Sequence, residues 1–131
     1  MTNPKKLPKP TDSEYNILNI LWDHGAATVR QVHDYLSQKK PSQYTTTLKL
    51  MQIMAEKGLV ERDETDRSHV YKPVVGREQV QQELAAHLMN RVFGGSARSL
   101  LLGALGAKRA SKKELAELRQ LIDEHEKGNK R

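Results

Sequence analysis

Residues 41–73, PSQYTTTLKLMQIMAEKGLVERDETDRSHVYKP, decide the fold. Pro41-Ser42 breaks the preceding segment and restarts the chain. From about residue 43 to residue 57 the pattern is helical, with Leu48, Met51 and Met54 or Ala55 forming a stripe to be buried. Thr45, Thr46, Lys49, Gln52 and Glu56 recur at three- and four-residue steps on another side. Gly58 ends the helix. Leu59-Val60-Glu61-Arg62 and His69-Val70-Tyr71-Lys72 read as strands joined by the polar residues 63–68, a β-hairpin that Pro73 closes.

Two further helices precede this stretch. Thr11-Asp12-Ser13-Glu14 fits a capping box, in which the Thr11 hydroxyl accepts from the Glu14 amide and the Glu14 carboxylate reaches back. Ile17, Leu18, Leu21 and Trp22 follow at helical spacing, and Gly25 supplies a left-handed stop. Thr28-Val29-Arg30-Gln31 is a second box, opening a helix with Val29, Val32 and Leu36 on one face. Residues 1–10, MTNPKKLPKP, read as a flexible basic arm, because their prolines continue neither a helix nor a ladder.

After Pro73 the pattern is entirely helical. Val80, Leu84, Leu88 and Val92 stand four residues apart and Gly94-Gly95 closes their segment. Leu100, Leu101, Leu102 and Leu105 belong to a short central helix. Ser111-Lys112-Lys113-Glu114 is a third capping box, opening a last helix bearing Leu115, Leu118, Leu121 and Ile122, with a frayed polar tail from residue 126. The expected organisation is an arm (1–10), a first domain (11–75) and a helical second domain (76–131).

Three helices followed by a hairpin is the order of a winged helix-turn-helix. The fold class is therefore mainly α with a small β-hairpin: a winged helix-turn-helix followed by a three-helix C-terminal dimerisation region. A major groove about 12 Å wide admits one helix, and the first two helices would brace the third within it. Small hydroxyls allow close approach to bases and phosphates. The candidate DNA-binding residues are Ser42, Gln43, Thr45, Thr46, Lys49, Gln52 and, on the hairpin, Arg67. Double-stranded operator DNA is the implied partner.

The net charge of +6 agrees with a polyanionic partner. Its distribution adds little, since residues 1–75 hold 11 Lys/Arg against 9 Asp/Glu. Residues 76–131 hold one Phe and no Trp, too little to enclose much core alone. Two interleaved copies would bury Val80, Leu84, Leu88, Leu101, Leu105, Leu118 and Ile122 together, so a homodimer is expected.

Other chemistries find no support. There is no phosphate loop, HExxH, GxSxG or Cys nucleophile, so no enzyme is expected. The five His lack metal spacing, the chain has no Cys, and neither metal nor cofactor is expected. No apolar run approaches the roughly 20 residues of a bilayer span. The start lacks an apolar secretory core, and the expected location is cytoplasmic. A winged helix can also bind other proteins, and a protein-interaction module without specific DNA binding is the alternative reading.

Residues 11–75 resemble the penicillinase-repressor family, the BlaI/MecI/CopY group. The likeness is carried by Leu21-Trp22, Ala27-Thr28-Val29-Arg30-Gln31-Val32-His33, Tyr44-Thr45-Thr46, Lys57-Gly58-Leu59-Val60 and Val70-Tyr71-Lys72-Pro73, in order and spacing. It continues more weakly through residues 76–131.

The resemblance implies a winged-helix repressor dimer acting on inverted repeats of TACA/TGTA half-sites, including β-lactam-response genes. It places Tyr44 in packing, Thr45 and Thr46 at the DNA, and Arg67 on the wing. Two departures stand out: Asp66 where relatives usually have Gly, and Ile53 where they often carry a basic residue. In penicillin-responsive members a membrane-linked sensor protease system leads to cleavage of an Asn-Phe bond in the central helix. Alignment puts Gly103-Ala104 there, a candidate proteolytic site lacking the aromatic residue. Its glycine would either ease local unfolding or permit close helix packing in the dimer.

Overall fold

A computed structural model describes residues 9–65, 67 and 69–129. In chain order these form α1 (Asp12–His24), α2 (Val29–Lys39), α3 (Tyr44–Lys57), β1 (Val60–Asp63), β2 (Val70–Pro73), α4 (Arg77–Arg91), α5 (Ala97–Ala107) and α6 (Lys112–Asn129). Asp66 at the hairpin tip and the first eight residues of the arm lie outside the described residues.

Of the three expected capping boxes, the first two are formed in both directions, while at the third only the Ser111 hydroxyl's bond from Glu114 N is made. Thr11 N donates to Glu14 Oε1 at 2.9 Å and Glu14 N to Thr11 Oγ1 at 3.2 Å. Thr28 and Gln31 repeat the exchange at 2.9 and 3.1 Å. Gly25 stops α1 at φ 85°, ψ −170°, a region open essentially to glycine alone, rather than in the left-handed helical well. Gly58 does take the left-handed conformation after α3, at φ 84°, ψ 14°.

The hairpin begins one residue later than the sequence pattern suggests, for a reason at that cap. Leu59 N donates to Met54 O at 2.9 Å, so Leu59 finishes the helix cap rather than opening the strand. β1 and β2 pair antiparallel with Val60 opposite Pro73, Glu61 opposite Lys72, Arg62 opposite Tyr71 and Asp63 opposite Val70. Pro73 is thus the last ladder residue. Ala27 adds a bridge unmarked by the hydrophobic pattern, exchanging two hydrogen bonds with Tyr71 at 2.8 and 2.9 Å.

The chain divides into two compact units after Leu84, within α4. The core of the first unit combines Ile17, Leu18 and Leu21 of α1, Val32 of α2, Met51 and Met54 of α3, and Tyr71 of β2. Trp22 Nε1 donates to Val75 O at 3.0 Å, fastening the segment after the hairpin to α1. Glu14 is buried in this unit and receives Lys57 Nζ at 2.8 and 3.0 Å, which joins the start of α1 to the end of α3. Pro10, expected in the arm, is buried at the threshold of α1.

Val80 corrects one expectation. It is 5% exposed and belongs to the first unit's core, so its surface is not available to a second copy. The first turn of α4 therefore belongs with the residues before it, and the division falls beyond the expected boundary at residue 75.

The second unit is different in kind. Among its described residues none is buried, and Leu102, Leu121 and Ile122 are each more than half exposed. The Ser96 and Ser111 hydroxyls start α5 and α6, each accepting the amide three residues on at 3.0 Å. The tail expected to fray from residue 126 is helical through Asn129. No helix among the described residues is long and apolar enough to cross a membrane.

Candidate nucleic-acid interface

The register of α3 is fixed by what it buries. Thr47, Met51 and Met54 face inward, and Leu48 and Ala55 are half-buried at the edge of the core. Thr47 is the residue the hydrophobic pattern missed. Its hydroxyl lies 3.4 Å from His33 Nδ1, whose Nε2 lies 3.4 Å from Ser37 Oγ, so its polar atom has a partner inside the α2–α3 contact.

With that side inward, Thr45, Thr46, Lys49 and Gln52 are all exposed, as are Ser42 and Gln43 before the helix. Gln43 is the N-cap but its side chain makes no capping hydrogen bond. The first turn of α3 thus offers amide groups and short hydroxyls together, a combination suited to phosphate oxygens. Tyr44 is half-buried. Its ring meets His33 edge-on at 5.7 Å between centroids and carries the Arg30 guanidinium 4.5 Å above its centre.

A cleft runs beside α3. It is lined by Gln52 and Leu48 of α3, Arg30 at the start of α2, and Arg62, Arg67 and His69 of the hairpin. Arg67, the expected wing residue, is exposed here. Arg30, Arg62 and His69 were not among the sequence candidates, yet strand alternation could have found Arg62, two residues from the buried Val60.

Hydrogen bonds set the wing's electrostatics. Asp63 Oδ1 accepts from Thr65 N at 3.0 Å and Thr65 Oγ1 at 2.8 Å, which holds its carboxyl below the usual range. Hydrogen bonds to Glu64 and Tyr71 push the Arg62 guanidinium up.

A helix with an exposed polar face, braced by two helices and followed by a hairpin, defines a winged helix-turn-helix protein. Comparison with known proteins gives the family. The model of the family described as Penicillinase repressor matches residues 10–124. The chain is 32% identical over 125 residues to the transcriptional regulator BlaI of Mycobacterium tuberculosis, covering 95% of this chain and 90% of that one. It is 25% identical over 126 residues to the penicillinase repressor of Bacillus licheniformis, covering 96% and 98%. The chain belongs to the penicillinase repressor family. The solved DNA-binding domain of the repressor BlaI shares the fold, with a TM-score of 0.50 at 23% identity over 56% of this chain and 89% of that domain.

Proposed function

We propose that this protein is a sequence-specific, DNA-binding transcriptional repressor that acts as a homodimer on a palindromic operator. The observation that carries the reading is the exposed face of α3, where Thr45, Thr46, Lys49 and Gln52 stand clear of the core. Family membership supports repression rather than catalysis.

The dimer is supported by the second unit. A set of helices that buries no side chain of its own cannot offset its ordering entropy. Leu84, Leu88, Leu101, Leu105, Leu118 and Ile122 are the apolar surface a second copy would cover. Two-fold symmetry then sets the recognition helices about 34 Å apart, one turn of DNA, or a multiple of it.

The finer reading is that the operator governs β-lactam-response genes in the cytoplasm and that a membrane-linked sensor protease relieves repression. Gly103-Ala104, within α5, would be its cleavage site, and loss of the dimer would release DNA.

Gel-shift titration across salt concentrations, with TACA/TGTA palindromes and random duplexes, tests the function. Affinity that falls steeply with salt and favours the palindrome is expected. No retention of either duplex at low salt would instead support a protein-interaction module.

A further inference from the structure

The cleft beside α3 carries more positive charge than the α3 face itself. As far as Gln52 that face presents one cation, Lys49, whereas the cleft holds three arginines: Arg30, Arg62 and Arg67.

Pleat geometry decides which hairpin residues reach the cleft. Residues opposite one another on paired strands project from one side, and successive residues alternate. Arg62 is opposite Tyr71, which is buried and lines the cleft. Glu61, opposite Lys72, and Asp63, opposite Val70, therefore project from the other side. Among the described hairpin acids, Glu64 meets Arg62, taking its Nε at 2.7 Å and its Nη2 on the same carboxylate oxygen.

In the same cleft, Arg30 is placed by an aromatic seat. Its guanidinium rests over the face of Tyr44, and a stacked guanidinium keeps its N–H edges directed outward for bidentate bonds. A phosphate matches that fork bidentately.

Building on the DNA-binding reading, we infer that this cleft seats one DNA strand alongside the groove entered by α3. Arg30 and Arg62 each hold a phosphate within it, and Glu64 is the anion a phosphate displaces from Arg62. The Arg62–Glu64 pair is solvent-exposed and so weak enough to exchange. Once displaced, Glu64 repels the backbone whatever the base sequence. It thereby weakens binding to all DNA and leaves retention to depend on base contacts made by α3.

The test is fluorescence anisotropy of the full chain on a random duplex and on a TACA/TGTA palindrome over a series of KCl concentrations. Arg30→Gln is expected to make the log–log salt slope shallower by about 0.9 per bound protomer, with Arg30→Lys restoring it. Glu64→Gln is expected to tighten the random duplex several-fold. Glu61→Gln, which removes the same charge from the other face, should tighten it much less.

An unchanged slope in Arg30→Gln, with the wild-type chain binding normally, overturns the strand seat while leaving DNA binding intact. Equal gains in Glu64→Gln and Glu61→Gln overturn the exchange at Arg62, since net charge alone would then account for both. A wild-type chain that retains neither duplex overturns the DNA-binding reading and this inference with it.

Discussion

The Phe93 ring stands over Gly103 so closely that a Cβ on that glycine would lie 3.0 Å from Cε1 and 3.3 Å from Cζ. Gly103 is therefore a packing position within α5. The contact is made within the chain, which is a different role from the packing against a second copy that its sequence suggested. The helix weakness that glycine also brings, about 1 kcal/mol relative to Ala, is its cost.

Gly106, three residues on, is a control for that weakness, because a Cβ added there would meet no atom within 4 Å. Gly106→Ala is expected to stabilise the chain by up to about 1 kcal/mol through helix propensity. Gly103→Ala should fail to gain this, because the Phe93 ring must give way. Combining Gly103→Ala with Phe93→Leu should recover part of it. Urea unfolding at one fixed protein concentration checks all three, and equal gains at both glycines would remove the Phe93 contact from the account.

The sequence was readable wherever local chemistry governs. Thr11, Thr28 and Gly58 mark helix ends through hydrogen bonds spanning a few residues, and each makes the bonds expected there. It was less readable where a residue's role is set by a distant partner. Thr47 looks like its neighbours Thr45 and Thr46, but the proximity of His33 makes it an inside residue. Arg30 looks like an ordinary second position of a capping box until Tyr44 comes beneath it. Val80 continues the stripe of Leu84 and Leu88, yet the end of the first unit's core falls between them. The exposed polar face of α3 was legible because it is what remains when the buried stripe is removed.

Lys57→Met is expected to destabilise the first unit by about 2–3 kcal/mol, leaving a buried carboxylate without its cation. The loss falls at or below the low end for such changes because Lys57 is about a third exposed and water can partly replace it. Glu14→Gln should cost less, since the amide oxygen can still accept from Thr11 N. Denaturant unfolding of both variants checks the order, and a larger loss in Glu14→Gln would contradict it.

Arg77 sets the titration of Asp23. Its hydrogen bond to Asp23 Oδ1 is the main influence holding that carboxyl below its ordinary range. Because the folded carboxyl titrates lower than the unfolded one, the pair's contribution is fully present above the unfolded carboxyl's titration. It is lost as pH falls through the folded one. Both groups are exposed, so the effect on stability is small and screened by salt. NMR titration of the Asp23 carboxyl in Arg77→Gln should show it moving up toward its ordinary range; no movement would assign the depression elsewhere.

Thr46 and Arg67 separate reading from holding. Thr46 is exposed in the first turn of α3, and its methyl and hydroxyl can touch a thymine methyl or a base edge. Arg67 is exposed on the hairpin, and on the proposed function its guanidinium would meet phosphates rather than the major-groove floor. Thr46→Ala is therefore expected to cost on the order of 1 kcal/mol per half-site on a TACA/TGTA palindrome, with little change on a random duplex. Arg67→Ala should weaken both duplexes alike and make the salt slope shallower by about 0.9 per bound protomer. Competition binding at two salt concentrations distinguishes these outcomes. Equal weakening of both duplexes by Thr46→Ala would move that residue from the bases to the backbone. A sequence-dependent loss in Arg67→Ala would place the wing in a groove instead.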